Sequence, residues 1–152
     1  MSHRQAHRKP RSVRRLTAEI RRIPKNDENS LAYFTQKLAN IAHRAHGRLE
    51  IVRFNPNGPT DRLVICRAGE ARLECGRSVV TNLTVDELKL IAREDSDCPY
   101  SMTIYAMIYD AWRFTRCETP IKNFDVALVV NSHKSSFAEE AKMRTKRITT
   151  AT

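Results

Sequence analysis

The sequence predicts an α+β protein in which a basic N-terminal arm precedes one folded body. Three observations carry this. Apolar residues recur at helical spacing in five segments and closer to every second residue in four others, and the two kinds come in runs, not in alternation. The first strands are joined by connections too short for a parallel crossover, so they form an antiparallel meander. Charge is also separated along the chain. Residues 1–48 carry 12 basic and 3 acidic side chains, residues 49–133 carry 10 and 12, and residues 134–152 carry 5 and 2, so a near-neutral body lies between two basic ends.

The elements follow in order. Residues 1–11 hold His3, Arg4, His7, Arg8, Lys9, Pro10 and Arg11 with almost nothing apolar, and are expected to be disordered when unbound. From Ser12, a possible cap, Val13, Leu16, Ile20 and Ile23 make a narrow helical stripe that Pro24 ends, with Arg14, Arg15, Arg21 and Arg22 on the other faces. KNDENS is a linker. Leu31, Phe34, Leu38, Ile41 and Ala45 mark a long helix closed by Gly47 as the left-handed residue after its end. LEIVRF (49–54), DRLVIC (61–66) and EARLECGRSVV (70–80) read as a three-stranded meander separated by NPNGPT and RAGE, which supply turn residues.

Thr84 with Glu87 makes a capping box for a helix to about Glu94. From Pro99 to about Thr115, YSMTIYAMIYDAWRFT reads as a second helix, apolar on more than one face and expected to be the most buried. Asn123 to Asn131 reads as a buried strand, and Ser136 with Glu139 caps a last basic helix. The order is therefore α, α, β, β, β, α, α, β, α. Its organisation is an arm over 1–25, a single α+β domain over 26–133 and a basic C-terminal helix or tail over 134–152.

The α-β-β-β-α order of residues 30–94, with Gly58-Pro59 in the first strand loop, resembles a double-stranded RNA-binding domain over about 65 residues. The second helix of that stretch begins TVDEL, where the family places a basic cluster, and the family's histidine after Gly-Pro is missing. Membership is not assigned.

Signatures of catalysis are few. His43 and His46 share a helix face, but the gaps between Cys66, Cys75, Cys98 and Cys117 leave no tight ligand pair of the kind zinc sites use. Cys75 alternates with Ala71 and Leu73, so Cys66 and Cys75 read as core thiols that could meet across their hairpin. HKS at 133–135 matches half of a two-histidine phosphoesterase pair, and a second histidine to complete it is missing. Glu94, Asp95 and Asp97 do not match a calcium loop. No enzyme, cofactor or metal is assigned. Tyr100, Tyr105, Tyr109, Trp112 and Phe114 on one helix read first as core, then as an oligomer contact, and last as a base-stacking platform.

The functional reading therefore falls on the arm, whose first 25 residues hold nine Lys or Arg against Glu19 alone. Its apolar stripe is modest for a membrane surface, and no apolar run approaches a membrane span or a secretory signal. This leaves nucleic acid, RNA ahead of DNA, bound through phosphate contacts by Arg4, Arg8, Lys9, Arg11, Arg14, Arg15, Arg21 and Arg22. Arg53, Arg62, Arg67, Arg72 and Arg77 on the meander could extend that surface, unless the interleaved Glu50, Glu70 and Glu74 pair with them. Expected surroundings are the cytoplasm or nucleus, and the size suits a viral, phage or ribosome-associated accessory protein. The alternative is an adaptor or inhibitor whose arm helix docks on an acidic protein partner or a second copy.

Overall fold

The computed structural model describes residues 30–116 and 121–138. They form three helices, α1 (Ser30–Arg44), α2 (Val85–Ala92) and α3 (Ser101–Thr115), and six strands. The strands are β1 (Arg48–Arg53), β2 (Asp61–Cys66), β3 (Glu70–Cys75), β4 (Ser78–Thr84), β5 (Phe124–Val130) and β6 (His133–Ser136). All pair antiparallel in one sheet of order β4-β3-β2-β1-β5-β6. The α+β class therefore holds. The arm and nearly all of the C-terminal segment lie outside the described residues.

Strand alternation puts Leu49, Ile51, Leu63, Ile65, Ala71, Leu73, Leu83, Phe124, Val126 and Leu128 on one sheet face. The three helices cover that face, and Phe34, Leu38, Ile41, Leu88, Ile91, Ile104 and Ile108 join those strand residues in a single buried cluster. Of the two longer helices, α1 is the more deeply packed. It buries nine residues, whereas α3 buries five and leaves Met102 86% and Tyr109 41% exposed. The aromatic helix is thus not the most buried one, because its tyrosines sit at positions between the core-facing Ile104, Ile108 and Ala111.

Two expected segments resolve differently. EARLECGRSVV is two strands, β3 and β4, because Gly76 takes φ of +63° and turns the chain back so that Cys75 pairs with Ser78. The meander has four strands, not three. HKSS is an edge strand paired with β5, and it spans the 133/134 junction where the body was expected to end. The hairpin before it is a two-residue turn at Asn131 and Ser132, with φ of 50° and 67°. Positive values at both central positions are those of a type I′ turn.

The end of α1 also departs from expectation. The N–H of Gly47 donates to the carbonyl of Ala42 at 3.0 Å, and that of His46 to His43 at 3.2 Å, which is the Schellman pattern with His46 as the left-handed residue. Gly47 serves another purpose. A Cβ there would lie 2.3 Å from the Val129 carbonyl oxygen and 2.9 Å from Val130 Cγ2, so only glycine lets the turn sit against β5. The capping box at α2 is as expected, with the Glu87 N–H donating to Thr84 Oγ1 at 3.1 Å.

Three outcomes follow for urea denaturation. Gly47→Ala is expected to lower stability by about 1–3 kcal/mol, the usual cost of overpacking, whereas His46→Gly raises it by up to about 1 kcal/mol by removing a left-handed strain. Ser132→Gly likewise stabilises by about 1 kcal/mol, because glycine takes both signs of φ without a Cβ penalty.

Candidate nucleic-acid interface

All eight arm residues singled out above, Arg4, Arg8, Lys9, Arg11, Arg14, Arg15, Arg21 and Arg22, lie outside the described residues. What the described body offers is a second basic surface, assembled by topology from four separate segments. The Schellman turn leaves His43, Arg44 and His46 exposed at the C-terminal end of α1, where the helix dipole favours positive charge. β1 begins beside them at Arg48. Register sets Arg48 opposite Cys66 on one side, so Arg67 follows at the same end, and opposite Val129 on the other. Val129 in turn faces Lys134, with His133 next to it.

These side chains are all exposed and occupy one end of the molecule. Arg48 and Lys134 are two strand spacings apart, about 10 Å. His43 Nδ1 donates to the Arg67 carbonyl at 3.1 Å, which ties the helix end to the β2–β3 turn. Arg48 is held by Glu50 at 2.7 Å, whereas Arg67 and Lys134 have no acidic partner among the described residues.

The five meander arginines do not form one track. Arg53 pairs across strands with Asp61 at 2.9 Å, at the end opposite Arg67. Arg72 pairs along its own strand with Glu74, on the sheet face away from the helices, where Arg62 also lies. Arg77 sits in the β3–β4 turn. Ion pairing thus takes Arg53 and Arg72, and Arg67 alone joins the basic end.

Beside that end lies a cleft of about 560 Å³ between α1, the β2–β3 turn and the start of α2. Asn40, His43, Arg67 and Asp86 are among the residues that line it. Gln36, also on its wall, accepts from Lys89 Nζ at 2.8 Å and donates to Asn40 at 3.0 Å. The lining can hydrogen-bond a polar group and holds positive charge on one wall and a carboxylate on the other.

On α3, Tyr105 and Tyr109 stack at 6.4 Å, Arg113 lies over Tyr109 at 5.8 Å and Arg116 over Trp112 at 5.1 Å. Each guanidinium covers one face of its ring. Burial pushes the Tyr105 hydroxyl upward, and the Glu94 carboxylate adds to the shift.

The cysteines differ from expectation. Cys66 lies on the sheet face away from the core cluster, and Cys75 lies at the far end of the β2–β3 hairpin, so the two do not meet. The Cys75 thiol is pushed upward by burial and by Asp61, opposite to the shift that would activate a nucleophile. Among the described residues, no three His, Cys, Asp or Glu side chains come together as a metal set, and no helix is long and apolar enough to cross a membrane.

Comparison with protein-family models, with curated proteins and with solved structures finds no match.

The ion pairs differ in consequence because Glu50 is buried and Asp61 is not. Arg48→Ala strands a buried carboxylate and is expected to cost about 1–3 kcal/mol in chemical denaturation. Arg53→Ala breaks a more exposed pair and costs about 0.2–1 kcal/mol.

Proposed function

We propose that this protein binds nucleic acid without catalysing a reaction, RNA in preference to DNA, through phosphate contacts from its Arg-rich arm. The observation that carries the reading is the placement of charge: nine Lys or Arg against one acid in the first 25 residues, ahead of a body that is slightly acidic. Arginine outnumbers lysine by 19 to 8, which suits forked hydrogen bonds to phosphate. Arg4, Arg8, Lys9, Arg11, Arg14, Arg15, Arg21 and Arg22 make the contacts. Arg67 and Lys134 extend them on the body, at the end of α1 away from the arm's root. α1 is 15 residues long, so root and basic end are about 21 Å apart.

RNA is favoured because Arg-rich segments that order on binding suit irregular, single-stranded targets. Binding of this kind reads charge and shape, not base edges. It belongs in the cytoplasm or nucleus, and suits an accessory role in a viral or ribosomal assembly. The second reading is a protein-interaction module, favoured by the apolar stripe Val13, Leu16, Ile20 and Ile23, which phosphate contact does not require.

Affinity for RNA, DNA and heparin, measured across a salt series for the full chain and for residues 26–152, tests the proposal. Six phosphate contacts on single-stranded RNA give a slope of log K against log salt near about −4. Truncation is expected to remove most of that slope, and Arg67→Glu with Lys134→Glu to reduce it by about 1.4. A flat slope in the full chain, or RNA affinity unchanged by truncation, overturns the arm as the binding element. Loss of protein capture by Leu16→Asp with Ile20→Asp, with heparin binding intact, would favour the second reading.

A further inference from the structure

The sheet face turned away from the three helices is buried although no described element lies on it. Val52 and Ala127 are 0% exposed, Val64 1% and Val129 6%, and the neighbouring carboxylates of Glu50 and Asp125 are buried as well. None of these four apolar residues belongs to the cluster beneath the helices. Register places them side by side: Val64 and Ala127 flank Glu50 on β1, and Val52 lies between Arg62 and Asp125. The patch therefore runs across β2, β1 and β5. A sheet face open to water does not leave valines of its central strands without accessible surface.

We propose that residues 12–23 dock on this face as an amphipathic helix, with Val13, Leu16, Ile20 and Ile23 seated on Val52, Val64, Ala127 and Val129. A stripe of i, i+3, i+7 and i+10 is about 15 Å long, enough to cross three strands spaced about 5 Å apart. At 100° per residue, Arg14, Arg15, Arg21 and Arg22 fall on the side opposite the stripe, so docking leaves them in solvent. The reach is sufficient. α1 and β1 run antiparallel through a tight turn, so Ser30 lies at the Arg53 end of the sheet. Residues 24–29 extended span about 20 Å, which matches the two layer spacings of roughly 10 Å each that separate a helix above the sheet from one below it.

The other undescribed segments fit less well. CETP at 117–120 is too short. EEAKMRTKRITTAT at 139–152 offers Ala141 and Ile148 at i, i+7 with Met143 off that stripe, a thinner apolar face than the four aliphatics of 12–23. Its root is anchored at the patch margin, where Asp125 accepts from Ser136 Oγ at 2.6 Å and from the Ala138 N–H at 2.9 Å.

Docking is separate from nucleic-acid binding, and either can fail alone. The test uses the full chain with Val64→Cys as a buried reporter and Cys66 as a native one, both read by iodoacetamide labelling and mass spectrometry. Leu16→Asp with Ile20→Asp is expected to speed labelling at position 64 by about tenfold or more relative to a second reporter, Ala71→Cys, buried on the core face, whose rate reports general unfolding. An unchanged ratio overturns the proposal. So does protection lost on removing 139–152 but kept in the double variant, which assigns the cover to the C-terminal segment. Protection that fades on dilution assigns it to a second copy, with the same result. Should the double variant unfold, a short bismaleimide joining Leu16→Cys to Cys66 within one chain decides the matter, and failure to form that link in the monomer overturns it.

Discussion

β1 pairs along its whole length with β2 on one side and β5 on the other, and its residues from Leu49 to Val52 are buried on both faces. Such a strand tolerates neither an unpaired backbone group nor an unpartnered charge. Leu49 and Ile51 satisfy one face through the helices. On the other, Glu50 is acceptable because Arg48, two residues back, supplies a guanidinium at 2.7 Å. Entry into the strand is equally constrained. The turn from α1 must bring the chain against the Val129 carbonyl, and Gly47 is the residue that permits it. Since β5 follows the helical pair in sequence, the centre of the sheet closes only after α2 and α3 have been crossed. Pairing across that separation is the slow kind of contact to form.

This central packing also sorts the basic residues. Alternation along β2 and β3 sends Arg62 and Arg72 to the face away from the helices, while the turn between those strands projects Arg67 from the end. The β5–β6 hairpin brings Lys134 to the same end, two strands from Arg48. The exposed basic surface therefore arises at the end of the sheet and not along its face. It is made from residues that are distant in sequence and are united only by register.

Much of the architecture was legible from spacing alone. Phe34, Leu38 and Ile41 at helical intervals, the alternation in DRLVIC, and Thr84 with Glu87 each state a local preference that the packing then obeys. The failures have identifiable causes. EARLECGRSVV reads as one strand because both halves are apolar at similar spacing, and only the φ of Gly76 divides it. HKSS carries little β propensity and becomes a strand by pairing with β5. Gly47 and His46 exchange roles because a close approach to a distant strand outweighs the local preference for glycine in the left-handed position. The basic end had no local signal, since no segment contributes more than three of its residues. The polarity of charge along the chain was visible at once, because it needs no folding to be read.

The arm's two halves differ in the entropy that binding removes. If residues 1–11 contact phosphate as proposed, the conformational freedom lost on binding would offset much of each contact. A helix held on the sheet by its apolar stripe would already have lost that freedom, so Arg14, Arg15, Arg21 and Arg22 would be presented as a fixed row on its outer side. Docking and phosphate binding are then complementary uses of one amphipathic segment. In the docked arrangement proposed above, the stripe would stabilise the body by covering Val52 and Val64, and the body would in turn preorganise the charges. This arrangement also accounts for a feature that neither function explains alone: a segment rich enough in arginine to stay solvated, yet carrying four aliphatic residues on a single face.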